Sequence, residues 1–173
     1  MGREERMDST MPVTAGVCCL TYMAAMGFIA FSFYQPWDEN FFDNGFFAHA
    51  GATCIIFFFS AANGNSSLYD PAWVFLPLGV CAGWMSQQEY ELSYRALYAY
   101  ALLVVWFVRY NYMHPWDGWT HGIENEDWRY VELAKYTGED NFMYWIFISF
   151  FACHCAPTLL VFGVIAPLQR VFT

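Results

Sequence analysis

Five stretches of this chain, at about 12–34, 44–62, 71–87, 92–113 and 141–168, run almost without charge for the length of a membrane crossing. A helix needs roughly 20 mostly apolar residues to cover about 30 Å of hydrocarbon, because only a helix or a closed barrel satisfies its backbone there. The stretches are too long and too uniform for half-buried strands, so they predict an all-α integral membrane bundle of about five transmembrane helices. Residues 1–11 form a polar amino-terminal segment, and 12–173 form a single transmembrane domain. Composition agrees: only 13% of residues are charged and 22% are aromatic, against about 25% charged in an ordinary soluble domain.

The first stretch carries no charge between Asp8 and Asp38, and Pro12 suits an opening helical turn. The second is bounded by Asp43 and by the turn-forming Asn63-Gly64-Asn65-Ser66-Ser67. Pro77 inside the third predicts a kink or a tilt. In the fourth, Arg95 and Arg109 stand where their side chains reach the two polar boundaries. The fifth is long enough for a tilted span, and Pro157 is placed to bend it. Between the last two lies an interfacial segment, 114–140, rich in acids and in Trp116, Trp119, Trp128, Tyr130 and Tyr136, as a membrane-interface belt would be. A short interfacial helix is expected near Glu126 to Tyr136.

Sixteen acids against seven Lys and Arg give a formal charge of -9, which excludes a nucleic-acid partner. With an odd number of spans, Arg3, Arg6, Arg109, Arg129 and Lys135 share one side, and Arg95 and Arg170 the other. The positive-inside rule turns the first side toward the cytoplasm, matrix or stroma. Position 6 is Arg where a myristoylation signal has Ser or Thr. The first apolar run is too long for a simple cleaved signal, and the acidic amino terminus is unlike a transit peptide.

The six cysteines, at 18, 19, 54, 81, 153 and 155, all fall inside spans. They read as small packing residues, since zinc needs four convergent ligands. His49 and His154 are intramembrane; haem or chlorophyll ligation is open to them, but their unequal depths favour hydrogen bonds to neighbouring helices. Asn65-Ser66-Ser67 is formally a glycosylation sequon, though a turn accounts for it. Glu124, Glu126, Asp127, Arg129 and Tyr130, with Arg109 and Asn111 before them, allow two readings. The two arginines could hold a phosphate or lipid head group, or an ion-pair network could fix the loop to a helix end.

Four segments carry a family resemblance: Asn65-Ser-Ser-Leu-Tyr-Asp70-Pro-Ala-Trp73, Arg109-Tyr-Asn111, Glu126-Asp127-Trp-Arg129-Tyr130 and His154-Cys-Ala-Pro157. In order and spacing, from about Asn65 to Leu168, the chain resembles the steroid 5-alpha-reductase-like membrane family in its broad uncharacterised branch. That resemblance implies a multi-helix scaffold, and in characterised members NADPH-dependent reduction of a double bond conjugated to a carbonyl in a lipid-like substrate. The family's Arg-His-Pro-Asn-Tyr-x-Gly-Glu motif is not found here; His114-Pro115 is followed by Trp-Asp-Gly. The expectation is therefore a truncated, non-catalytic derivative without cofactor. It would serve as an accessory structural subunit among other membrane subunits and lipids, in the mitochondrial inner membrane ahead of the thylakoid or endoplasmic reticulum. The alternative is a reductase whose cofactor half comes from a second chain, with Asp127, Arg129 and Tyr130 in the pocket. Ala24, Ala25, Gly27, Gly51 and Ala52 would permit close helix approach.

Overall fold

The computed structural model describes residues 15–37, 40–87, 93–113, 126–137 and 141–172. Every element among them is helical. The protein is an all-α membrane bundle of α1 (Ala15–Tyr34), α2 (Phe41–Asn63), α3 (Ala72–Ser86), α4 (Tyr94–Met113), the short α5 (Trp128–Ala134) and a last long helix, α6 (141–172). Three spans are long and apolar enough by themselves to cross a membrane: Gly16–Tyr34, Phe42–Asn63 and Tyr144–Phe172. α3 is shorter, at 15 residues, and runs unbroken through Pro77. α4 has the length, but it carries Arg95, Arg109 and several tyrosines.

Local chemistry sets the boundaries. The Asn40 side chain accepts the Phe42 N–H and starts α2. Gly64, at φ 66°, ends it in the left-handed conformation, and the Asn65 N–H returns to the Ser60 carbonyl at 3.0 Å, a Schellman closure that glycine accommodates without a Cβ clash. Asn65 is buried and its side chain accepts the Ser67 N–H at 2.8 Å, opening the 3-10 turn Ser66–Tyr69. The sequon is thus consumed by the fold. At the other end of the bundle, buried Asn44 accepts the Trp37 N–H and donates to the Ser32 carbonyl, clamping the α1–α2 turn.

The core lies where α1, α2, α3 and the second half of α6 meet, around Ile29, Ile56, Leu76, Trp84 and Phe162. Small residues let the helices close up: a Cβ on Gly51 would fall 2.2 Å from the Phe28 ring, and Ala25 and Ala52 are fully buried. These positions are spent on contacts inside the chain, whereas Gly27 faces open space.

α6 changes form along its length. Residues Tyr144–Cys155 form a π-helix, and α-helix resumes at Ala156, immediately before Pro157. Bonding from i to i+5 brings residues five apart back toward the same face. The buried residues Tyr144, Ser149 and His154 follow that spacing, and Thr158 continues it four residues later, in the α-helical part. The helix is widened just before Pro157, and the widening aligns one polar stripe.

Candidate functional site

The polar stripe of α6 meets the 3-10 turn and α5 at the end of the bundle where α2 finishes and α3 begins. Three tiers of hydrogen bonds result.

The outermost tier is built on Asp127, whose side chain caps α5 by accepting the Arg129 N–H at 2.9 Å. The same oxygen accepts Arg129 Nε at 2.8 Å, and Oδ2 accepts Nη2 at 3.2 Å, a forked pair. Arg129 also faces Asp70 Oδ2 at 3.4 Å. That contact is electrostatic attraction without hydrogen-bond alignment, and Asp70 Oδ2 takes no hydrogen bond among the described residues. Asp70 Oδ1 accepts the Tyr130 hydroxyl at 2.6 Å. Burial pushes the Asp70 carboxyl up to about 6, against the opposing pull of Tyr130 and Arg129. Burial, with Asp70 beside it, likewise drives the Tyr130 phenol well above its ordinary range. The Asp127 bonds raise Arg129.

In the second tier, Glu126 is only 3% exposed. Its Oε1 accepts the Ser66 N–H at 3.0 Å and the Tyr144 hydroxyl at 2.9 Å. Ser66 Oγ lies 2.8 Å from the Tyr144 hydroxyl and 2.9 Å from Ser149 Oγ, and Ser67 Oγ accepts the Asp127 N–H at 2.8 Å. The deepest tier holds His154. Its Nδ1 lies 2.7 Å from the Ser149 carbonyl and its Nε2 3.2 Å from Ser60 Oγ. A carbonyl can only accept, so Nδ1 carries the proton and Nε2 accepts from Ser60. Thr158 Oγ1 then joins the His154 carbonyl, Thr53 and Tyr69 at 2.8, 2.8 and 2.5 Å.

The sequence candidates therefore part company. Asp70, Glu126, Asp127, Arg129 and Tyr130 converge. Arg109 does not join them: it is exposed at the end of α4 and makes no ion pair among the described residues. Asn111 is helical, with its side chain outside the described residues, as are Glu124, Trp116 and Trp119. Of the two readings offered for the arginines, the ion-pair network is the one that Arg129 displays, facing the two carboxylates of Asp127 and Asp70. An anionic group here would meet Asp70, Glu126 and Asp127 as well, so the cluster as built does not fit an NADPH diphosphate. Tyr130 is not an interface ring but a buried hydrogen-bond donor, whereas Trp128 and Tyr136 are exposed as expected. Both His154 nitrogens are engaged in hydrogen bonds within the bundle, as expected for this residue from the unequal depths of the two histidines. His49 is buried against the Phe162 ring, and neither of its nitrogens has a hydrogen-bond partner among the described residues. No group of three or more His, Cys, Asp or Glu suited to a metal occurs among the described residues. Sequence reading missed Ser60, Ser66, Ser67, Tyr144, Ser149 and Thr158. The signal was available in the hydroxyl and imidazole side chains recurring at 144, 149, 154 and 158 of an otherwise apolar helix.

Residues 56–173 match a family model described as a protein of unknown function (DUF1295). No curated protein matches, and no solved structure matches.

Proposed function

The chain belongs to the DUF1295 family, and on that premise we propose that it is a non-catalytic accessory subunit of a larger membrane complex, built on a steroid-reductase-like scaffold. The observation that carries this reading is the commitment of the site's charged groups to partners within the chain. Glu126 serves Ser66 and Tyr144, Asp127 serves α5 and Arg129, and Asp70 serves Tyr130. A cluster so engaged holds a loop to a helix bundle and has little left to offer a substrate. The outward face of α4, with Leu97, Tyr98, Leu102, Val105 and Val108 exposed, supports a surface covered by lipid and neighbouring subunits. We place the complex in an energy-transducing membrane, the mitochondrial inner membrane first. The test is native electrophoresis of mild-detergent extracts with mass spectrometry. Co-migration with a large respiratory or ATP-synthase assembly is the expected result, and migration as a free chain overturns the reading.

A second reading is kept alive by one contact. The Asp70–Tyr130 pair is a buried acid hydrogen-bonded to a phenol, an arrangement able to hand on a proton. In a reductase of a lipid-like enone it would do so while another chain supplied the NADPH-binding half. NADPH-dependent enone reduction by the isolated assembly, lost in Arg129→Ala, would favour this reading over the structural one.

A further inference from the structure

α4 divides lengthwise into two faces. Ala96, Ala99, Tyr100 and Leu103 pack toward the core. Turning about 100° per residue, the helix leaves the other half of its circumference exposed. At the centre of that face Tyr94, Tyr98, Ala101, Val105 and Val108 follow at spacings of four, three, four and three, and all five are exposed. This is the repeat of a helix whose seam meets a second helix at a shallow crossing angle.

One flank of the seam carries Arg95, Leu102 and Arg109, each seven positions from the last and each exposed. Residues at this place beside a helix seam form the charge pairs that set partner choice and orientation. Neither arginine makes an ion pair among the described residues. Arg95 also stands in the first turn of α4, where the helix dipole disfavours a cation. From Arg95 to Arg109 the helix rises about 21 Å, less than the roughly 30 Å of hydrocarbon, so the two charges are not both carried clear of the apolar layer by the helix itself. A carboxylate opposite each one offsets that cost.

We propose that the outward face of α4 docks one transmembrane helix of another subunit, apolar at the same repeat and carrying two Asp or Glu at the Arg95–Arg109 separation. A second copy does not fit: α4 contains no Asp or Glu, so a symmetric pairing through this face leaves both arginines unanswered. Phospholipid phosphates answer the charges but have no use for the repeat. The proposal rests on the accessory-subunit reading and names its contact.

A photoactivatable benzoylphenylalanine replaces Val105, in the seam, or Leu160, exposed on α6, in the full chain within its native membrane. The expected product at 105 is a cross-link to a transmembrane peptide of another protein with two acids at that separation. Its yield should fall about tenfold in Arg95→Gln/Arg109→Gln, the equivalent of one interfacial charge pair, and be kept in Arg95→Lys/Arg109→Lys, while labelling at 160 follows neither change. Size-exclusion elution and thermal unfolding establish that each variant is folded. Should the Gln variant fail to fold, Ala101→Phe, which fills the seam at an exposed position, takes its place with the same expected loss. Adducts at 105 only with lipid, with a second copy or with a helix lacking those acids overturn the proposal, as does an unchanged yield in the Gln variant. Native electrophoresis separates the two readings. If the wild-type chain and the Gln variant both co-migrate with a large assembly, α4 is not the contact and the accessory-subunit reading stands; a wild-type chain that migrates alone overturns both.

Discussion

Tyr130 donates its hydroxyl to Asp70 at 2.6 Å, joining residues sixty positions apart. The bond docks α5, a helix of seven residues, onto a fully buried 3-10 turn. A helix that short does not persist alone in water; it is stable here because tertiary bonds hold it. Burial at this junction leaves the Asp70 carboxyl in an environment that resists its charge, against the pull of the bond itself, and stability should depend on pH accordingly.

The Asp70 carboxyl is held up at about 6 against an ordinary 3.8. Between those values the folded protein keeps a proton that the unfolded chain has released. Its contribution to stability is therefore full below the ordinary value and is lost as pH rises through about 6. Asp70→Asn should flatten this dependence and raise stability at pH 7.5 by on the order of 1–3 kcal/mol, with no gain at pH 4. Thermal unfolding in detergent across that range checks it, and equal pH slopes in the two proteins would remove Asp70 as the cause.

Glu126 accepts two hydrogen bonds through one oxygen, from Ser66 and Tyr144. Glu126→Ala removes the acceptor of the Ser66 N–H and leaves the Tyr144 hydroxyl to Ser66 Oγ, and should cost about 1.5–3 kcal/mol, taking about 1.5 for each charge-assisted bond. Glu126→Gln keeps an acceptor oxygen and should lose less than half of that. If the two variants unfolded alike, Glu126 would be acting through its charge and not through these bonds.

Asp127→Ala removes the cap of α5 and the forked partner of Arg129. A cap is worth about 1 kcal/mol, and the half-exposed ion pair adds less than about 1 kcal/mol. The loss should be local: amide exchange across 128–134 accelerates while α1–α3 stay protected. Assembly into the proposed complex should weaken in parallel if α5 is part of that interface.

A Cβ on Gly45 would sit 2.6 Å from the ring of fully buried Trp84, whereas one on Gly27 meets nothing within 4 Å. Gly45→Ala should destabilise by about 1–3 kcal/mol through overpacking. Gly27→Ala should be neutral or gain up to about 1 kcal/mol from helix propensity. The difference between the two melting temperatures tests the α2–α3 contact directly.

Much of the architecture could be read from the chain because the bilayer simplifies the problem. Uncharged length marks α1, α2 and α6 before any contact is known, and Asn63-Gly64-Asn65 marks the end of α2 because only particular residues close a helix there. Acids and rings following a polar break likewise mark the short helix after Glu126. The site was half legible. Glu126, Asp127, Arg129 and Tyr130 stood out as charges beside aromatics, but their hydroxyl partners did not, since serine and threonine recur in membrane helices for many reasons. Arg109 looked equivalent to Arg129 in sequence, yet only Arg129 lies on the helix that docks against Asp70.

The sequence by itself determined that this protein is a helical membrane bundle, because long apolar runs have almost no other way to satisfy their backbone in hydrocarbon. Tertiary structure alone decided which polar groups meet. Residues 66, 126, 144 and 154 come together only when a π-helical segment turns every fifth residue inward and a buried turn receives them. Pairing across such separations depends on the three-dimensional path of the chain, which local composition does not encode.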